Sequence, residues 1–161
     1  MKKIITIIIT ALLGTFLHFL YQWSGNNDVA ALFSAVNEST WEHLKLLFFP
    51  FLLVSIMEYI CTKPDFKKFL SSRCIGLLWG LLSIIVLFYT YTGIYKNVDW
   101  VNIVIYIISV IISFCISDKL YNKAESPMPP ALSVSIILIL TLMFFVFTFY
   151  PPDINLFISP V

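Results

Sequence analysis

Carboxylate and imidazole side chains are concentrated in one short run, Asn37-Glu-Ser-Thr-Trp-Glu-His43. Glutamate and histidine exchange protons readily, so Glu38, Glu42 and His43 are candidates for general acid/base catalysis. On a helix the two glutamates would share one face with Trp41 and Lys45, at spacings of three, four and seven residues from Glu38. The run therefore predicts a polar helix face with an adjacent histidine.

The second histidine of the chain, His18, lies at a similar predicted depth. It precedes Trp23 by five residues, which is about 7 Å at a rise of about 1.5 Å per residue. His43 follows Ser39 by four residues, or about 6 Å. We therefore expect four candidate catalytic residues to meet in one pocket: His18, Glu38, Glu42 and His43.

Residues beside these four are candidates for ligand binding. Gly14, His18, Tyr21 and Gln22 share one face of the first apolar segment, and Gly14 allows close approach of a neighbouring helix. The candidate binding residues are Asn37, Trp41, Lys45, Tyr21 and Gln22.

Three interpretations of this cluster stay open. The first is structural, because Ser39 and Glu42 fit a capping box and acidic residues suit a helix N-terminus. The second is a substrate or proton site, because ionisable groups within a membrane are costly. The third is a zinc site, which the residue types allow but which no HExxH-like spacing supports. We predict no metal and no cofactor.

The composition indicates an integral membrane protein. Of 161 residues, 60% are hydrophobic and 12% are charged, whereas soluble domains carry about 25% charged residues. The formal net charge is +1, without a basic patch, so nucleic acid is not an expected partner. The three cysteines form no CxxC pair, and we interpret them as apolar filler.

The predicted fold is all-α, a single transmembrane domain covering residues 1–161. A membrane-spanning helix needs about 20 mostly apolar residues. Five segments qualify or nearly qualify, at about 4–23, 39–61, 74–93, 101–117 and 131–150.

The distribution of Lys and Arg predicts the orientation of these segments. Eight basic residues fall on one side if the segments alternate, and only Lys45 and Lys96 fall on the other. The N-terminus is therefore expected inside and the C-terminus outside, with the His/Glu cluster at the outer leaflet. The basic residues on the inner side are Lys2, Lys3, Lys63, Lys67, Lys68, Arg73, Lys119 and Lys123.

Three further segments carry predictions about packing. A polar stripe on the fourth segment is expected to be a packing seam, with the wall of a polar pathway as the alternative. Gly76 and Gly80 on the third segment provide a small-residue face, which Ser83 extends. The apolar Leu156 and Phe157 predict that the tail folds back over the outer mouth. The stripe consists of Asn102, Tyr106, Ser109, Ser113 and Ser117.

Two stretches, 18–25 and 32–50, together with the Phe149-Tyr-Pro-Pro152 ending, resemble an uncharacterised family of small bacterial multi-pass membrane proteins. That family is known only as a domain of unknown function, with an Asn-Glu-Ser-x-Trp-Glu-His motif. Its members usually have Asp before the last proline, where this chain has Ser159. The resemblance implies a bacterial cytoplasmic (plasma) membrane and supplies no activity.

Three functions stay open, and the sequence does not decide whether the protein is an enzyme. The first is binding or processing of a lipid or envelope precursor at the outer leaflet, with the bilayer and a lipid-like ligand as partners. The second is a small transporter or transporter subunit with a proton or substrate relay. The third is a structural accessory protein. A closed outer pocket would favour the first, and a water-accessible polar stripe would favour the second.

Overall fold

The computed structural model describes residues 3–123 and 125–160. It contains six α-helices and a short 3₁₀ turn in this part of the chain, and no strand. The all-α prediction is therefore confirmed. The helices are α1 (Lys3–Trp23), α2 (Asp28–Phe33), α3 (Thr40–Thr62), α4 (Phe66–Thr92), α5 (Asp99–Tyr121) and α6 (Pro130–Phe149), followed by the 3₁₀ turn Asn155–Phe157.

Five of these helices, all except α2, are long and apolar enough to cross a membrane. α3 is the most buried of the five and supplies much of the core, including Leu47, Phe48 and Phe51, whereas the large apolar side chains of the other four lie mostly on the outside of the bundle. α6 illustrates this, since its only buried residues are Ser133 and Phe144. An apolar outer surface of this kind is what a helix in lipid requires, because lipid replaces water around it.

The helix boundaries differ from the predicted ones in two places. α4 begins at Phe66 rather than at 74, because Asp65 caps it by accepting a hydrogen bond from the Lys68 N–H at 2.8 Å. α5 spans Asp99–Tyr121 and so exceeds the predicted 101–117 at both ends. The basic residues Lys67, Lys68 and Arg73 consequently lie on α4 and not in a loop.

The short helix α2 was not predicted. Asn27 caps it by accepting hydrogen bonds from the Val29 and Ala30 N–H groups, and the helix ends at Phe33 before the extended Ser34. A helix of 6 residues is too short to show an apolar period, so no helical pattern is visible here in the sequence.

The packing seam between α4 and α5 is built from glycine on one side and serine on the other. Ser109, Ser113 and Ser117 are fully or almost fully buried. A Cβ atom at Gly76 would collide with the Ser117 hydroxyl and the Ser113 carbonyl, and one at Gly80 with the Ser113 hydroxyl. The three serines of the polar stripe therefore form a packing seam with α4.

The two ends of the bundle carry different polar groups. At the end where α3 meets α4, Arg73 donates to Glu58 at 2.7 Å and lies 3.6 Å from Asp118. Its guanidinium also lies over the Phe69 and Phe114 rings. We call this the Arg73 end. The opposite end, where α1 ends and α3 begins, is called the His18 end below.

Candidate functional site

Three side chains from different parts of the chain meet at the His18 end. His18 comes from the last turns of α1, Glu38 from the segment before α3, and His43 from the first turn of α3. One oxygen of Glu38 lies 3.4 Å from His43 Nε2, and the other lies 3.8 Å from His18 Nε2. The two imidazole rings stack with their centroids 5.4 Å apart. Helix depth counting thus brought the two histidines to the same level correctly.

The orientation of His43 is fixed by its own helix. Its Nδ1 lies 2.9 Å from the carbonyl oxygen of Ser39, the N-cap of α3. A carbonyl oxygen only accepts hydrogen bonds, so Nδ1 carries a proton and donates it. When the ring is neutral, Nε2 therefore presents its lone pair toward Glu38.

Glu38 is the most exposed member of the group, with 64% of its side chain accessible. Its interaction with His43 holds the pKa of this carboxyl below the ordinary value, although partial burial opposes the change. Glu38 is therefore a carboxylate at neutral pH. An anionic group beside two imidazoles can exchange a proton with them or bind a cation.

Glu42 does not join this group, so the prediction that it shares the pocket is wrong. Its side chain lies 2.5 Å from Lys45 Nζ and accepts a hydrogen bond from the Val36 N–H at 3.0 Å. Glu38 precedes the N-cap Ser39 and lies outside the helix, so the helical spacing of the two glutamates does not place them on one face. Ser39 does cap α3 by accepting from the Glu42 N–H, but the reciprocal half of the capping box is not formed.

Lys45 is fully buried and joins three elements. Besides Glu42 on its own helix, it donates to the Ala31 carbonyl of α2 at 2.8 Å and to the Thr148 hydroxyl of α6 at 2.9 Å. These contacts leave it no position from which to touch a ligand. We interpret Lys45 and Glu42 as a structural ion pair.

The other predicted binding residues also lie away from the three-residue group. Asn37 accepts a hydrogen bond from the Ser39 N–H at 2.9 Å. Trp41 is buried against Phe144 and Phe157, with ring centroids 4.7 and 4.8 Å apart. Tyr21 is half-buried and Gln22 exposed, and neither lines the cavity described next.

A cavity of about 520 Å³ adjoins His18, Glu38 and His43. Its walls come from α1, α3, α4 and α5 and from Pro160 of the tail. Asn97, Asp99 and Asn102 add polar groups that sequence reasoning did not assign to a site. Of these three residues, only Asn102 stood out in the sequence, because its helical spacing from Tyr106 placed it in the polar stripe. The apolar part of the wall includes Leu46, Ile84, Phe88, Ile103 and Ile105.

Tyr106 closes the cavity where α1, α3 and α5 meet. Its hydroxyl lies 3.2 Å from the Thr10 carbonyl and 3.3 Å from the Leu46 carbonyl. A side chain at Gly14 would collide with both this hydroxyl and the Leu46 carbonyl. Gly14 therefore allows the close approach predicted for it, and α5 as well as α3 uses that space.

The docked tail completes the His18 end. Phe157 packs on Trp41 and on Phe147, with ring centroids 4.8 and 5.4 Å away. Pro160 reaches the cavity wall. The predicted fold-back of the tail is therefore confirmed for the described residues, which end at Pro160. Val161 lies outside the described part of the chain, as does Lys2.

These observations define the class of the protein: an all-helical bundle whose five long apolar helices suggest membrane embedding, with an ionisable cluster beside a cavity at one end. The chain belongs to DUF6512, a family of unknown function, whose model matches residues 1–161. The resemblance to a family of unknown function is confirmed at this level. No curated protein matches the chain, and neither does any solved structure.

Proposed function

We propose that this protein is a multi-pass membrane protein that binds an amphiphile, either a lipid or a lipid-linked envelope precursor, in the cavity at the His18 end. The observation that carries the proposal is the composition of that cavity. One space is lined by His18, Glu38 and His43 and also by the apolar Ile84, Phe88 and Ile103. A ligand that fills it needs a polar part and an apolar part.

The dimensions of the cavity support a small-molecule ligand. Its volume of about 520 Å³ falls within the roughly 300–1,000 Å³ of such sites. This space suits a head group and the first part of an acyl or prenyl chain, with the rest of the chain extending into the bilayer. Phe19 and Ile103 line the cavity and are themselves exposed, at 41% and 59%. We infer that the ligand enters sideways between α1 and α5.

The positions of the lysines support an external His18 end. The exposed Lys63, Lys67, Lys119 and Lys123 lie near the Arg73 end. Lys45 belongs to a buried ion pair, so Lys96 is the exposed lysine of the His18 end. The positive-inside rule then orients the Arg73 end toward the cytoplasm and the cavity toward the outer leaflet. Together with the resemblance to small bacterial membrane proteins, this supports a bacterial plasma membrane location.

The same side chains are suited to acid/base chemistry on a ligand bound in the cavity. His43, held by Ser39 and facing Glu38, is placed to give a proton to a leaving group or to take one from a nucleophile in the cavity. His18 is placed to act as its counterpart, since its Nδ1 has no hydrogen-bond partner among the described residues. We assign these roles to the two histidines and the orienting role to Glu38.

A transport function has less support from the packing. A polar pathway along α5 would need Ser109, Ser113 and Ser117 on a water-accessible face. All three are buried, with at most 1% of each residue exposed, and the glycines of α4 pack against them. Of the stripe, only Asn102 and Tyr106 line the cavity at the His18 end, and the buried serines beyond them fill the seam between α4 and α5.

Native mass spectrometry of the purified protein tests the proposal. The full chain, extracted in mild detergent, should retain an amphiphile of defined mass. Ile103→Trp fills the cavity and should reduce the retained fraction at least tenfold. Ile107→Trp, one turn further along α5 on its exposed surface, serves as the matched control and should retain the ligand. Equal retention by both variants, or only the mixed lipids of the host membrane, would contradict the proposal.

A further inference from the structure

The side chains of the His18 end provide a set of metal ligands. His18, Glu38 and His43 each offer one donor atom, and these three atoms all lie within 4.8 Å of one another. In a tetrahedral zinc site, bonds of about 2.0–2.1 Å place neighbouring donor atoms roughly 3.4 Å apart. One oxygen of Glu38 already lies 3.4 Å from His43 Nε2, and its other oxygen lies 3.8 Å from His18 Nε2. Small side-chain rotations are therefore enough to bring all three donors onto one ion.

The hydrogen bond of His43 to the Ser39 carbonyl prepares this histidine for a metal. Metal-bound histidines commonly donate their second ring N–H to a carbonyl or carboxylate, which fixes the tautomer. Here Nδ1 makes that bond at 2.9 Å, so the free lone pair of Nε2 points at the Glu38 carboxylate. Two electron-rich atoms 3.4 Å apart need a positive charge between them, which either a proton on Nε2 or a metal ion supplies.

A dication can be bound by all three side chains at once, without the repulsion between two protonated histidines. Protonating both histidines would place two positive rings in a stack with centroids 5.4 Å apart. One metal ion bound by two neutral imidazoles and one carboxylate avoids this repulsion and neutralises Glu38. We propose that His18, Glu38 and His43 bind a divalent transition-metal ion of the zinc class, with its fourth position open to the cavity. With the ion bound the two histidines serve as ligands, so the acid/base roles assigned to them above apply to the metal-free protein.

The charges around the cavity indicate what this ion would do. Glu38 and Asp99 line the cavity, and no lysine or arginine lines it within residues 3–123 and 125–160. The double positive charge of the ion offsets these two carboxylates, and its open position can accept an oxygen atom of a ligand. This role of the ion rests on the proposed function, and it names the ligand class as an amphiphile whose head group offers an oxygen donor, such as a phosphate.

Zinc stoichiometry tests the metal site directly. The full chain is stripped with a chelator, supplied with ZnCl₂ and desalted, and zinc is measured by plasma mass spectrometry. Cys61 and Cys115 are exposed thiols, so all samples carry Cys61→Ser and Cys115→Ser. We expect about one tightly held zinc ion per chain, the count of a single three-ligand site. Cobalt should substitute and give the visible absorption of a tetrahedral site.

Variants of the proposed metal-ligating residues distinguish a specific zinc site from adventitious zinc binding at the surface. His18→Gln and Glu38→Gln should each weaken zinc binding by more than about 100-fold, since even outer-shell partners contribute about 10–100-fold. These side chains are 28% and 64% exposed, so the variants should fold, which size-exclusion chromatography verifies. Glu125→Gln, at an exposed carboxylate, is the matched control. Zinc binding that survives both ligand variants, or no zinc on the parent, overturns the metal site.

The outcomes for metal and ligand are separable in the same native mass spectrum. An amphiphile retained without zinc overturns this inference and leaves the proposed function standing. Zinc retained without an amphiphile contradicts the proposed function and confirms the metal site. If both are correct, a chelator should release the amphiphile together with the zinc, and Ile103→Trp should release the amphiphile alone.

Discussion

The Nζ atom of Lys45 lies 2.5 Å from a carboxylate oxygen of Glu42, and both side chains are removed from solvent. Lys45 also contacts α2 and α6 through Ala31 and Thr148. Because a buried charge without its partner is strongly destabilising, Lys45→Met should lower the free energy of unfolding in detergent by about 3–5 kcal/mol. The double variant Lys45→Met/Glu42→Gln should recover part of this loss. Lys96→Met, at an exposed lysine, should change it by less than about 0.5 kcal/mol. If the destabilisation of the double variant equals the sum of those measured for Lys45→Met and Glu42→Gln alone, the two residues do not interact.

The glycine–serine seam predicts the effect of a single methyl group. Gly76→Ala places a Cβ atom against the backbone carbonyl of Ser113, which cannot move without shifting α5. We expect a loss of about 1–3 kcal/mol, the usual cost of overpacking. Ser83→Ala on the same helix removes a hydroxyl that bonds only its own helix, to the Trp79 carbonyl, and should have little effect. Equal thermal unfolding of the two variants would show that α4 and α5 do not pack this closely.

Because the tail is packed against the bundle, we expect it to resist protease. Phe157 is held by Trp41 and Phe147 but is only half-buried, so Phe157→Ala should remove up to about 1.5 kcal/mol of apolar burial. Cleavage of the tail within residues 153–158 by a non-selective protease, in the detergent-solubilised protein, should then become up to about tenfold faster, since cleavage follows the population of the open form. Ile158→Ala, at a half-exposed neighbour, is the control. Rapid clipping of the unmodified chain would mean that the tail is not docked.

Reporter fusions test the orientation proposed from the lysines. Fusions at Lys67 and Lys123 should report the cytoplasm, and fusions at Asn97 and Ser159 the external side, because the exposed lysines gather at the Arg73 end. Cytoplasmic signals at Asn97 and Ser159 would place the cavity at the inner leaflet and would remove the support for an external ligand.

The sequence contained enough information for the long helices and for one part of the site. Runs of about 20 apolar residues define a spanning helix almost alone, and the helical rise placed His18 level with His43. The helical spacing of Glu42 and Lys45 predicted their mutual pairing, but their further partners were not predictable, because they lie on α2 and α6 and in the loop before α3. Asn97 and Asp99 could not be assigned to the cavity from the sequence for a similar reason, since only the packing of α5 beside α1 brings them there.

The central claim is that the ionisable cluster and the apolar wall bind two parts of one ligand. The most direct test compares the mass of the retained amphiphile in Glu38→Gln, which alters the polar part, and in Ile103→Trp, which fills the apolar part. Both changes should deplete the same species at least tenfold relative to the Ile107→Trp control. Depletion by only one of the two, or of two different species, would show that the cluster and the cavity do not form one site.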